Sequence, residues 1–301
     1  MNNFVIQTHD LNHSFGSFKA VDKVNINVPE NSIYCFLGPN GAGKSTTIRL
    51  LLGLYDSNPN TIDIFGKKLN RDKLSILEEV GAMVEAPSLY HHLSGKDNLE
   101  VTRVLRGVEK QRIGEVLKIV GLSEAANKKV KNYSMGMKQR LGLAIALLSN
   151  PKLLILDEPS NGLDPQGIKE FRELLISLQR NEGVTIFLSS HILSEVEKLA
   201  THVGIIHKGA LAFEGTLTDL KTISIDNVLI EVDDLEKAVQ ILSAKQGYNP
   251  KIINNKISIS LNERDKTAAA VFDLASGGIK VYSVVENQKS LEELFFDITI
   301  N

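Results

Sequence analysis

The sequence predicts an α/β chain in which a mainly parallel sheet, covered by helices on both faces, is followed by a small α+β module. Two observations carry this. The mainly apolar runs "IYCFLG", "KLLILDEP", "VTIFLSS" and "HVGIIHKG" alternate with helix-type segments, the pattern of strands buried on both faces. Near Lys221 the character changes. "DNVLIEV", "LEKAVQILSAK", "KISISL", "DKTAAAVFDLAS", "KVYSVVE" and "SLEELFFDI" then follow in the order β-α-β-α-β-α. The expected division is residues 1–221 and residues 222–301.

Taken in order, "VDKVNINVPENSIYCFLG" reads as two strands with a turn at Pro29–Asn31. "STTIRLLLGL" has the apolar spacing of a helix and stops at Gly53, and "TIDIFGKKL" reads as a strand and turn. From about residue 94 to 150 the pattern is helical, through "LSGKDNLEVTRVL", "RIGEVLKIVGL" and "GMKQRLGLAIALL".

The 301 residues are 43% hydrophobic and 23% charged, enough to bury a real core. Lys and Arg number 34 against 36 Asp and Glu, a net charge of −2 that argues against a nucleic-acid partner. The single cysteine, Cys35, lies in an apolar run and reads as a buried thiol. The opening "MNNFVIQTHD" lacks the features of a secretory signal. No apolar run reaches the ~18 residues of a membrane helix. The expected location is therefore cytosolic, with docking on a membrane component left open.

The chemistry starts at Gly38-Pro39-Asn40-Gly41-Ala42-Gly43-Lys44-Ser45-Thr46, between an apolar strand and a helix. Glycines let backbone N–H groups converge on phosphate oxygens, and the helix N-terminus adds partial positive charge. Lys44 is placed for the β- and γ-phosphates and Ser45 for Mg2+, so the stretch is expected to bind a nucleotide such as ATP. A second motif, "LLILDEP", ends a buried strand with two acids. Asp157 is placed to hold Mg2+, and Glu158 to act as general base toward the attacking water.

"YSMGMKQRLGLA", from Tyr133 to Ala144, resembles the signature segment of ABC-type ATPases. Ser134 and Gly136 keep their places, while Met135 and Met137 replace a glycine and a glutamine. Ser134 can cap a helix and bind the γ-phosphate, with the Gly136 N–H opening the helix dipole. The resemblance covers residues 1 to about 220 and implies the ABC form of the phosphate-loop ATPase fold, with 94–150 as its helical subdomain. It implies that Asp164, in "SNGLDP", communicates across a dimer, and that His191, in "FLSSHIL", contacts the γ-phosphate as a third catalytic residue beside Lys44 and Glu158. It also implies that Phe15, in "HSFGSFKAV", stacks on adenine.

The departure from the family that matters lies between the phosphate loop and the helical region. Glu85, in "VGAMVEAPSLYHHLSG", stands where the family has a glutamine that touches Mg2+ and the attacking water. With the variant signature and the ending "SLEELFFDIT", this glutamate resembles the ATPases of bacitracin-resistance and lantibiotic-immunity exporters. That resemblance implies a homodimer closing over two ATP, separate transmembrane permease subunits, and a peripheral place on the cytoplasmic face of the membrane. Met83, Pro87, Leu89 and Tyr90 would form the apolar part of the coupling surface, with a place in the core the other reading for some of them. A soluble ABC ATPase acting on nucleic acid or ribosomes, and a regulatory nucleotide-binding module, are the other readings.

Overall fold

A computed structural model describes residues 3–85, 87–223, 225–245, 248–259, 264–288 and 290–300. It divides into two compact units, Met1–Leu217 and Thr218–Asn301. The first begins with β1 (Phe4–Thr8), β2 (Leu11–Phe15), β3 (Phe18–Val24), β4 (Asn27–Pro29) and β5 (Ile33–Leu37). Where the sequence predicts two strands across residues 21–38, there are three. The Thr8 side chain accounts for the break, since its hydroxyl donates to the Val24 carbonyl and accepts from the Ile26 N–H, each at 2.8 Å. With the turn joined to β1, β3 pairs with β2 while β4 pairs with β1.

Helix α1 (Lys44–Leu51) follows the glycine loop, then β6 (Ile62–Ile64), β7 (Lys67–Lys68), α2 (Leu69–Glu78) and β8 (Val80–Met83). The helical stretch comprises α3 (Gly95–Arg106), α4 (Arg112–Ile119) and α5 (Met135–Leu147). A capping box formed by Ser94 and Asp97 starts α3, and Gly107 stops it in the left-handed conformation. The unit ends with β9 (Leu153–Leu156), α6 (Pro165–Glu182), β10 (Thr185–Ser190), α7 (Leu193–Leu199), β11 (His202–His207) and β12 (Ala210–Thr216). Helix α8 (Leu217–Ile223) spans the division between the units.

The central six-stranded sheet has the order β12-β11-β5-β10-β9-β8 and is parallel except for the edge strand β12. Every residue of β5 and of β9 is buried, as strands covered on both faces must be. A separate sheet, β4-β1-β6-β7, is antiparallel throughout. Its Ile6, Val28, Ile62 and Ile64 join the same core as Phe36, Ile48 and Phe187.

The second unit holds β13 (Ile225–Val232), α9 (Leu235–Ser243), β14 (Lys251–Ile253), β15 (Lys256–Ile259), α10 (Arg264–Ser276), β16 (Val281–Gln288) and α11 (Leu291–Ile300). Its sheet, β14-β15-β13-β16, is antiparallel. One strand more than the sequence predicts is present. β14 folds onto β15 through Asn254 and Asn255, both at positive φ, the backbone that a two-residue hairpin demands. Val228, Ile230, Ile257 and Ile259 pack with Ala238, Leu242, Ala270 and Leu274 in a core of their own.

Candidate functional site

Three neighbouring parallel strands run in the same direction, so their C-terminal ends share one edge. The loop after β5 starts at Gly38, the acidic pair Asp157–Glu158 follows β9, and His191 follows β10. The glycine loop is built for close approach. Gly43 sits at φ 110°, and a Cβ there would strike the Ala20 carbonyl oxygen. A Cβ on Gly38 would stand 2.5 Å from the Ile206 carbonyl oxygen. Asn40 and Gly41 are exposed at the tip, and Pro39, Gly43, Ser45 and Thr46 are partly so. Lys44 is buried. Its Nζ donates to the carbonyls of Gly38 (2.7 Å) and Pro39 (3.2 Å) and lies 3.1 Å from Glu158 Oε1.

Glu158 is the hub. Its Oε2 accepts from Asn161 Nδ2 at 2.7 Å and lies 2.8 Å from His191 Nδ1. Burial pushes its carboxyl up. The hydrogen bonds from Lys44 and Asn161 and the charges of Lys44 and His191 outweigh that, leaving it below the usual carboxylate value. Its φ of 45° is rare for a side chain other than glycine. Ser189, fully buried on β10, fixes this turn by accepting from the Glu158 N–H at 2.8 Å and donating to Asp157 Oδ1 at 2.6 Å.

Ser45, Glu85, Asp157 and Glu158 line one cleft, with Gln139 and Asn161 beside them. These residues fit a nucleotide and Mg2+. The glycine loop leaves no room for side chains at its base, a buried lysine stands at its end, and a hydroxyl and carboxylates supply the hard oxygen donors that Mg2+ takes. No cluster of three or more His, Cys, Asp or Glu suited to a metal occurs among the described residues. Mg2+ needs only one or two protein carboxylates together with phosphate oxygens. Glu85 is mostly exposed, and its carboxylate is paired with Arg49 of α1.

The remaining sequence-predicted residues lie elsewhere. Ser134 caps α5, accepting from the Met137 N–H at 3.2 Å, and Asp164 caps α6, accepting from the Gly167 N–H at 2.8 Å. They share an open cleft with Gly136, Arg140, Gln166 and Glu170, which meets the first cleft at Met135 and Gly162. Phe15 is 49% exposed and presents its ring edge-on to His13 and Tyr55. Met83, expected on a coupling surface, is buried against α5, whereas Tyr90 is exposed. Sequence reasoning missed Ser189, Asn161 and Arg49. Only Ser189 had a signal, a hydroxyl that follows the apolar run Ile186–Leu188 near the end of a strand.

The ABC transporter family profile matches residues 21–161. The bacitracin transport ATP-binding protein BcrA of Bacillus licheniformis is 43% identical over 296 residues, covering 97% of this chain and 96% of that protein. The lantibiotic transport ATP-binding protein SrtF of Streptococcus pyogenes is 44% identical over 210 residues, 70% of this chain and 90% of its own length. Among solved structures, an ATP-binding subunit of an ABC transporter superposes with a TM-score of 0.64 at 29% identity, covering 72% of this chain and 92% of that one. Related over nearly its whole length, the chain belongs to the ATP-binding subunits of ABC transporters, enzymes that hydrolyse ATP.

Proposed function

We propose that the chain powers export of an antimicrobial peptide or a similar amphiphile. It would act as a homodimer on the cytoplasmic face of the membrane with separate permease subunits. The named roles of the bacitracin- and lantibiotic-transport relatives support the cargo class. No helix among the described residues is long and apolar enough to cross a membrane, which fits a subunit that borrows its membrane path.

The observation that carries the catalytic reading is the Lys44–Glu158–His191 cluster beside the glycine loop. As found, the Glu158 carboxylate is held by Lys44, Asn161 and His191, and its affinity for a proton is lowered. A polyphosphate in the loop competes for Lys44, because its charge is larger and its oxygens more numerous. Lys44 then turns to the β- and γ-phosphates, and Glu158 is released to take a proton from the attacking water. His191, bound to the same carboxylate, is positioned to follow that change toward the γ-phosphate. Ser45 and Asp157 are the Mg2+ holders, with Asp157 aimed by Ser189 and Glu85 lining the same cleft. Bound Mg2+ supplies charge neutralisation across the phosphate oxygens.

Ser134 and Gly136 line a different cleft from Ser45, and the two clefts meet at Met135 and Gly162. This supports completion of each site by the signature of a second copy, with Asp164 at the junction and Phe15 against the adenine. Titration with ATP tests the reading. Lys44→Ala is expected to weaken binding by about ten- to a hundredfold, the loss of a charge-assisted contact. Unchanged affinity would remove the phosphate-loop assignment.

A further inference from the structure

We propose that Arg49 is a positioning residue that neutralises Glu85 and so permits a carboxylate in a cleft meant for a polyphosphate. The inference rests on the nucleotide reading of that cleft. Asp157, Glu158 and Glu85 all line it. Lys44 answers the charge of Glu158, and the charge of Glu85 is answered by Arg49.

The guanidinium that does this is held on a second side. Arg49 Nη1 donates to the Tyr55 hydroxyl at 3.2 Å, and its central carbon lies 5.7 Å from the centre of the Tyr55 ring. Tyr55 in turn stacks parallel on His13, with 5.1 Å between ring centres, and meets Phe15 edge-on at 5.7 Å. Nη2 is thereby left for the Glu85 carboxylate. Arg49 lies in the last turn of α1, the helix that starts at Lys44, where a cation also favours the helix dipole. At the other end, Glu85 sits at φ 60°, a conformation that a side chain other than glycine keeps only when its surroundings enforce it. The arrangement joins the aromatic group around Phe15 to the loop after β8 through a single cation.

The test is a double-mutant cycle read by ATP affinity and its salt dependence. Arg49→Leu is expected to weaken ATP binding by about tenfold, because an uncompensated carboxylate then faces the phosphates. The loss should shrink as salt is raised. Glu85→Gln placed in the Arg49→Leu chain is expected to restore affinity to within about twofold of Glu85→Gln alone, the ordinary scatter of additive sites. Arg49→Lys, which keeps the charge but cannot hold Tyr55 and Glu85 at once, is expected to bind ATP better than Arg49→Leu and less well than the parent. Wild-type affinity in Arg49→Leu would overturn the inference, as would a loss that Glu85→Gln does not restore, since the latter marks a packing role. A parent chain whose ATP binding is indifferent to Lys44→Ala would overturn the nucleotide reading and this inference with it. A Lys44-dependent parent with no restoration overturns the inference alone.

Discussion

The central sheet of the first unit is mainly parallel and the sheet of the second is antiparallel, and among the described residues the candidate site gathers on the first. In the first unit, β5, β10 and β9 are parallel neighbours, so Gly38, His191 and the Asp157–Glu158 pair emerge along one edge. In the second, β14, β15, β13 and β16 are antiparallel, and successive strand ends fall on opposite edges. Burial follows the same division. β9 is buried at every residue, whereas Val228, Ile230 and Val232 alternate with less buried neighbours along β13. A parallel sheet spends its faces on core and leaves its strand ends for function. The antiparallel sheet reaches stability with a hairpin at Asn254–Asn255 that carries no reactive group.

The strongest way to break this comparison is at the loop. Gly43→Ala puts a Cβ against the Ala20 carbonyl in a backbone conformation that alanine avoids. About 2 kcal/mol of strain should cost ATP roughly thirtyfold in affinity. Calorimetric titration that finds parental binding would mean the loop does not cradle phosphate. Ser189→Ala is expected to act less severely. Asp157 and the Glu158 N–H each lose a partner, and single-turnover hydrolysis should slow by about tenfold, the equivalent of a buried hydrogen bond or so. A parental rate would show that the acidic turn holds itself.

A subtler effect is expected in acid. The Glu158 carboxyl lies below its usual value in the folded chain. Its contribution to stability is therefore full above the unfolded value of about 4.3 and fades as pH falls through the lower folded value. The difference in melting temperature between the parent and Glu158→Gln should be steady near neutrality and narrow below about pH 4.3. A difference that widens there would place the carboxyl elsewhere. The smallest effect sharpens the comparison from the other side. A chain ending at Ile223 should bind ATP within about twofold of the parent, since all the residues of the candidate cleft precede that point. If it folds and does not bind, the division of labour is wrong.

Much of the first unit was legible because its signals are local. An apolar strand, a glycine loop and a capped helix each lie within about ten residues, and their order dictates a parallel sheet. The second unit was legible in outline, but β14 was not, for "KII" is three residues long and mostly exposed. The antiparallel β4-β1-β6-β7 sheet was hidden for a different reason: its register joins strands as far apart as Ile6 and Ile64. In the site, Lys44, Asp157, Glu158 and His191 were each readable from motifs. The contacts of Glu158 with Lys44 and His191 were not. Asn161 and Ser189 reach the acidic turn from different elements, and Arg49 meets Glu85 only because α1 and the loop after β8 lie side by side.

In the proposed mechanism Glu158 works as a base once Lys44 is drawn to phosphate. Glu158→Gln keeps the size of the side chain and removes its proton affinity. Hydrolysis and light scattering of this variant with Mg2+ and ATP measure chemistry and association together. ATP affinity should at least equal the parent's, turnover should fall by about a hundred- to a thousandfold, and the chain should shift from monomer to ATP-bound dimer. Turnover at the parental rate would contradict the proposed mechanism.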